Sequence, residues 1–148
     1  MSDTILRIIP TNPTFIPTAL NQHEANVILI ACFPDKQIEF TTTEDVKFID
    51  QGENFEKVSC NLCKREIGTE AWQLAMDSAF EHRFEDLTFI SPCCHSRVSL
   101  NDLEYEWPAG FAKFLIAVNN PNDEITQNDL HQLEEVLGSS LRIIWAHY

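Results

Sequence analysis

Four of the chain's five cysteines come as two pairs, and any fold that uses them must bring those pairs together. Cys60-Asn61-Leu62-Cys63 has the spacing that lets one tight turn aim two thiolates at a single ion. The second pair lies in Pro92-Cys93-Cys94-His95. Neighbouring residues of a strand point to opposite faces, so Cys93 and Cys94 can share an ion only where the chain leaves strand geometry. Pro92 is consistent with such a turn. The expected ligand set is Cys60, Cys63, Cys93 and Cys94, with His95 as an alternative to one of the last two. Sulfur and imidazole at tetrahedral count favour zinc over harder ions. Four protein ligands close a structural zinc site, whereas a catalytic one keeps a position for water.

Two readings compete with a structural zinc. Reduced free thiols need no ion, and catalytic zinc or redox chemistry would need a different neighbourhood. A redox Cys-x-x-Cys opens a helix beside a β-α-β unit, but the residues after Cys63 are charged and end in Gly68. The gap between the pairs, residues 64 to 92, is 29 residues, longer than in a compact zinc ribbon.

Disulfides are a weaker use of these cysteines if the compartment is reducing. The opening "MSDTILRIIPTNP" lacks a basic segment followed by an apolar one, and no apolar run approaches the roughly 20 residues of a bilayer span. A cytoplasmic protein is expected. With 148 residues the chain is long enough for one domain with a real core. Ten basic against 23 acidic side chains leave a net charge of −13. Such a surface repels nucleic acid and anionic lipid, and it favours fast encounter with a basic partner.

The pattern of residues predicts an α+β domain over 1–148, a mixed or antiparallel sheet with about three helices, and a zinc-ribbon-like four-cysteine subregion at about 56–100. "TILRIIP" reads as a strand. Thr18 caps a helix that ends at Pro34 and is apolar nearly all round in its second half, which predicts deep burial and makes Cys32 a core residue. "QIEFTTTEDVKFID" reads as two short strands about a polar turn, and "QGENFEKVSCNLCKREIG" as a loop. Thr69 precedes a helix that should pack Trp72, Ala75, Met76, Ala79 and Phe80. "DLTFISP", "RVSLNDLEYEW", "GFAKFLIAVNNP" and "LRIIWAHY" read as strands. A third helix follows the capping-box-like pair Thr126 and Asp129, carries Leu130, Leu133, Val136 and Leu137 on one face, and stops at Gly138.

In "DLEYEW", Leu103, Tyr105 and Trp107 alternate with Asp102, Glu104 and Glu106, which places aromatics inward and carboxylates outward on a strand. Carboxylates along one strand point in parallel and not across a cleft, so a solvated face or a docking edge fits them better than a catalytic pair. The remaining acidic pairs, among them Asp123-Glu124, are spread along the chain as a broadly acidic surface. There is no phosphate-binding G-x-x-x-x-G-K-[ST], no G-x-G-x-x-G, no G-x-S-x-G and no H-E-x-x-H.

The phrases "DQGENFEKVSCNLC", "SPCC…SLNDLEYEWPAGFAKFLIAVNNP" and "LRIIWAHY" resemble a family of small bacterial cytosolic proteins of unknown function, over most of residues 48–148. Some members carry a transporter-ATPase label, which the missing phosphate loop argues against for this chain. The resemblance implies a bacterial, cytosolic, cysteine-bearing α+β domain and supplies no catalytic residues.

These observations lead to an expected non-enzymatic, acidic protein-binding module with a structural zinc, more sharply an immunity or antitoxin-type inhibitor of a basic bacterial toxin. Asp102, Glu104, Glu106 and Trp107 are the expected partner contacts, with no nucleic-acid or membrane partner. A small zinc-dependent hydrolase or transferase, and an adaptor in transcription or translation, are the alternatives.

Overall fold

The computed structural model describes residues 3–148. Its long strands are β1 (Thr4–Pro10), β2 (Ile38–Ile49), β8 (Gly110–Asn119) and β9 (Leu141–His147). They form one sheet in the order β2-β8-β1-β9, every neighbouring pair antiparallel. Helix α1 (Ala19–Cys32) joins β1 to β2, and α3 (Gln127–Leu137) joins β8 to β9. The element order β1-α1-β2-β8-α3-β9 with this sheet is the split β-α-β, ferredoxin-like arrangement. The fold class is thus the expected α+β one, with antiparallel sheets and three helices.

The sheet core follows from period-two and helical spacing meeting at one layer. Leu6, Ile8, Phe114, Ile116 and Val118 of the strands pack with Ala25 and Leu29 of α1 and Leu133 and Leu137 of α3. Thr126 caps α3 by accepting from the Asp129 N–H at 3.1 Å, and Gly138 closes the helix in the left-handed conformation.

Between β2 and β8, adjacent in the sheet, the chain inserts residues 50–109. This insert carries β3 (Val58–Ser59), β4 (Glu66–Ile67), helix α2 (Thr69–Glu81), β5 (Thr88–Ile90), β6 (Arg97–Ser99) and β7 (Glu104–Tyr105). Strands β4-β3-β7 and β5-β6 make two small sheets. The insert has its own apolar cluster, with Val58, Ile67, Trp72, Met76, Val98 and Tyr105 packed on Val46 of β2 and Phe111 of β8. Aromatic contacts knit it and join it to the sheet: Phe55 stacks on Trp72 at 5.1 Å, and Phe48 of β2 meets Trp72 edge-on at 6.0 Å.

Polar latches fix the insert to the sheet. The buried Asn101 donates to the Thr11 carbonyl at 3.1 Å and accepts from the Phe111 N–H at 3.0 Å, while Arg142 of β9 donates to the Asn101 and Ala109 carbonyls. Gly52 sits at φ 61° so close to β9 that a Cβ there would come 2.3 Å from the His147 carbonyl oxygen, which excludes any side chain.

Several expectations need correction. Residues 38–49 are one strand, whose register against β8 shifts between Thr42 and Lys47; the Thr-rich stretch is a bulge and not a turn. Helix α1 buries only Ala25 and Leu29 fully, because one side alone meets the sheet and α3; Leu20, Val27 and Ile30 stay exposed and Cys32 is half-buried. Helix α2 begins at Thr69 itself and follows Gly68, and Phe80 is 68% exposed. Residues 51–68, read as a loop, contain β3 and β4. The run 97–107 is two short strands joined by a turn; Leu103 and Tyr105 are buried as expected, but Trp107 is 40% exposed.

Candidate metal centre

The two cysteine pairs sit at the tips of two hairpins built to one plan. In the first, between β3 and β4, the Cys60 N–H donates to the Arg65 carbonyl at 2.9 Å and the Lys64 N–H donates to the Cys60 carbonyl at 3.0 Å. Lys64 turns the chain at φ 67°. In the second, between β5 and β6, the Ser91 N–H donates to the Ser96 carbonyl at 2.9 Å and the His95 N–H donates to the Ser91 carbonyl at 3.0 Å, with His95 at φ 55°. Matching these bonds aligns Cys60 with Ser91, Leu62 with Cys93, Cys63 with Cys94 and Lys64 with His95.

That alignment explains the unusual adjacent pair. The second hairpin has a serine where the first has its leading cysteine, and Cys93, from the middle of the turn, supplies the missing sulfur. The left-handed turn at His95 carries the backbone round, and its imidazole is exposed, outside the sulfur cluster. The expected alternative of His95 in place of a cysteine therefore has no support in the geometry.

The four sulfurs of Cys60, Cys63, Cys93 and Cys94 all lie within 4.8 Å of one another. Cys60 Sγ and Cys94 Sγ are 3.8 Å apart, and Cys63 Sγ and Cys93 Sγ 3.3 Å. Zinc–sulfur bonds of about 2.3 Å at tetrahedral angles space their sulfurs by about 3.8 Å. The donor set thus fits a tetrahedral ion, and these four cysteines can hold a metal.

Local hydrogen bonds lower two of the four thiols. The Ser91 and then the Ser96 side chains hold the Cys94 thiol down at about 6. The Cys63 backbone N–H lowers Cys60 against the opposing effect of burial, and the Leu62 N–H also points at Cys60 Sγ, 3.4 Å away. For Cys63 the Arg65 backbone N–H pulls downward, but the Cys93 thiol and burial outweigh it and push the group up to about 11. A cation binds thiolate sulfur, so its arrival draws off the protons the four thiols still carry. Cys32 stands apart on α1, its thiol pushed up to about 11 by burial and then by Asp129.

The acidic ladder lies beside this centre. Glu104 pairs with Lys64, next to Cys63, and Glu106 lies 4.0 Å from Lys57. Asp102 has no ion pair among the described residues. Sequence reasoning assigned all three carboxylates to a partner; two of them already face a lysine of the insert.

A second grouping escaped the sequence reading because its members are far apart along the chain. Trp107 and Trp145 share a cavity of about 420 Å³ with Asn54, Asp123, Glu124 and His147. Among the described residues no helix is long and apolar enough to cross a membrane. No family model matches the chain, and neither a curated protein nor a solved structure does.

Proposed function

We propose that the chain is a non-enzymatic protein-binding module, held in shape by a structural zinc at Cys60, Cys63, Cys93 and Cys94, whose acidic surface docks a basic protein. One observation carries this reading: the four sulfurs converge on one point. A tetrahedral ion with four protein ligands has no place for water, so the arrangement suits a staple rather than a hydrolase. The net charge of −13 supports a basic partner, met quickly and in a salt-dependent way. In its sharper form the partner is a basic toxin whose active site the module blocks, as an immunity protein does, with Asp102, Glu104, Glu106 and Trp107 on the contact surface.

Two measurements test it. Protein purified without added metal should contain one zinc per chain by elemental analysis; a metal-free protein with four titratable thiols at these positions contradicts the staple. Affinity capture from the organism of origin at low ionic strength should return a basic protein that dissociates as salt rises and whose activity the module inhibits. Recovery unchanged by charge reversal at Asp102, Glu104 and Glu106 together would remove that surface from the contact.

A further inference from the structure

The cavity between Trp107 and Trp145 combines two kinds of wall. Trp107 follows β7 at the end of the insert and is 40% exposed, while Trp145 belongs to β9. The backbone at both is anchored: the Gln51 side chain donates to the Trp107 carbonyl and the Asn54 side chain to the Trp145 carbonyl, each at 3.0 Å. The insert and the sheet thus set the two indoles in one pocket. The β8–α3 connection adds Asp123 and Glu124, both exposed and without an ion pair among the described residues. No lysine or arginine lines the cavity. Its volume of about 420 Å³ falls within the range of about 300–1,000 Å³ typical of ligand pockets.

Aromatic faces and unpaired carboxylates together select an organic cation, since the indole attracts positive charge by its quadrupole and the carboxylates by their negative charge. An anion would meet the repulsion of Asp123 and Glu124 there with no lysine or arginine to offset it. Among cationic groups the guanidinium matches best: it is planar, weakly hydrated, stacks on indole and presents two parallel donors to a carboxylate. We propose that this pocket receives an arginine side chain of the basic protein partner, between Trp107 and Trp145 and against Asp123 and Glu124. The proposal rests on the protein-binding role put forward above and gives it an anchor away from the Asp102–Glu106 ladder.

The test uses the full chain as purified, titrated with N-acetyl-arginine amide and with its neutral citrulline counterpart, and followed by the indole N–H resonances of the three tryptophans. The arginine probe should shift Trp107 and Trp145 and leave the buried Trp72 unmoved, and citrulline should bind at least tenfold more weakly. Trp107→Ala and, separately, the conservative pair Asp123→Asn with Glu124→Gln should each weaken the arginine probe roughly tenfold, with melting temperatures showing that both variants fold. Equal binding of citrulline, or full binding to the carboxamide variant, overturns the pocket's assignment. A captured basic partner that binds the carboxamide variant undiminished overturns it too, while leaving the protein-binding role standing. An arginine probe that binds while no basic partner is ever recovered makes the pocket a site for small cations, and overturns the partner side chain as its occupant together with the role itself.

Discussion

The four-stranded sheet and the 50–109 insert build their cores by different means. The sheet has strands of seven to twelve residues, and it lays two helices on them to bury Leu6, Ile8, Phe114, Ile116, Leu133 and Leu137. The insert has no strand longer than three residues, and its main regular element is α2. Strands of two or three residues make too few ladder bonds and cross-strand contacts to persist unaided. The sheet is specified by apolar surface along its whole length. The insert is specified by its own apolar cluster around Trp72, Met76 and Tyr105, by contacts to Val46 and Phe111, and at two hairpin tips where four sulfurs converge. The four cysteines, which can hold a metal, lie at the margin of that cluster.

The largest effect expected to separate the two regions is loss of a sulfur. Structural zinc contributes on the order of 10 kcal/mol to small metal-dependent folds, so Cys60→Ser should release the insert, seen as new proteolytic cleavage within 56–100. Cys93→Ser should do the same, but the alignment of the hairpins predicts a rescue. Ser91→Cys combined with Cys93→Leu makes the second tip copy the first, and it should restore metal binding. A double variant as metal-poor as Cys93→Ser would show that the two hairpins are not equivalent.

In the sheet, Phe114→Ala removes a fully buried ring and should cost about 3–5 kcal/mol in denaturant unfolding while the metal content stays that of the parent chain. Loss of metal in that variant would mean that the sheet, and not the insert, organises the site.

Alkaline titration addresses the insert without touching a ligand. Trp72 Nε1 donates to the Tyr105 hydroxyl, which donates to the Leu100 carbonyl at 2.8 Å. Burial pushes the Tyr105 phenol up to about 12 from an ordinary 10. A folded-state value above the unfolded one means stability that is complete below pH 10 and lost between pH 10 and 12, by about 3 kcal/mol at most. Tyr105→Phe should flatten that slope in chemical unfolding measured across the same range; an unchanged slope would place the titrating group elsewhere.

The smallest effect tests the join. Asn101→Ala strands the Phe111 N–H and the Thr11 carbonyl and should cost about 2 kcal/mol. Its particular signature should be that thermal unfolding of the insert and of the sheet separates into two steps, where the parent chain is expected to show one.

What could be read from the sequence divides along the same line. Strands β1, β8 and β9 and helix α3 declare themselves because apolar period and end signals agree there, down to Thr126 and Gly138. The four sulfurs are also legible, since spacing and chemistry point to one ion. Other features depend on partners remote in sequence. A bulge lets "TTTED" continue a strand because β8 lies alongside, and nothing local to residues 42–47 shows it. The burial of α1 is decided by which side meets α3, so its apolar composition overstates it. Strands β3 to β7 have only two or three residues each, too few for period or composition to mark them. Asp123-Glu124 looked like dispersed surface charge until the fold set Trp107 and Trp145 beside it.

Amide hydrogen exchange with and without a strong chelator tests the central division most directly. Chelation should strip protection from Val58, Ile67 and Val98 in the insert, while Leu6, Ile116 and Ile144 of the sheet keep theirs. Protection unchanged everywhere would show that no metal staples the insert. Protection lost everywhere would show that the sheet does not stand without it.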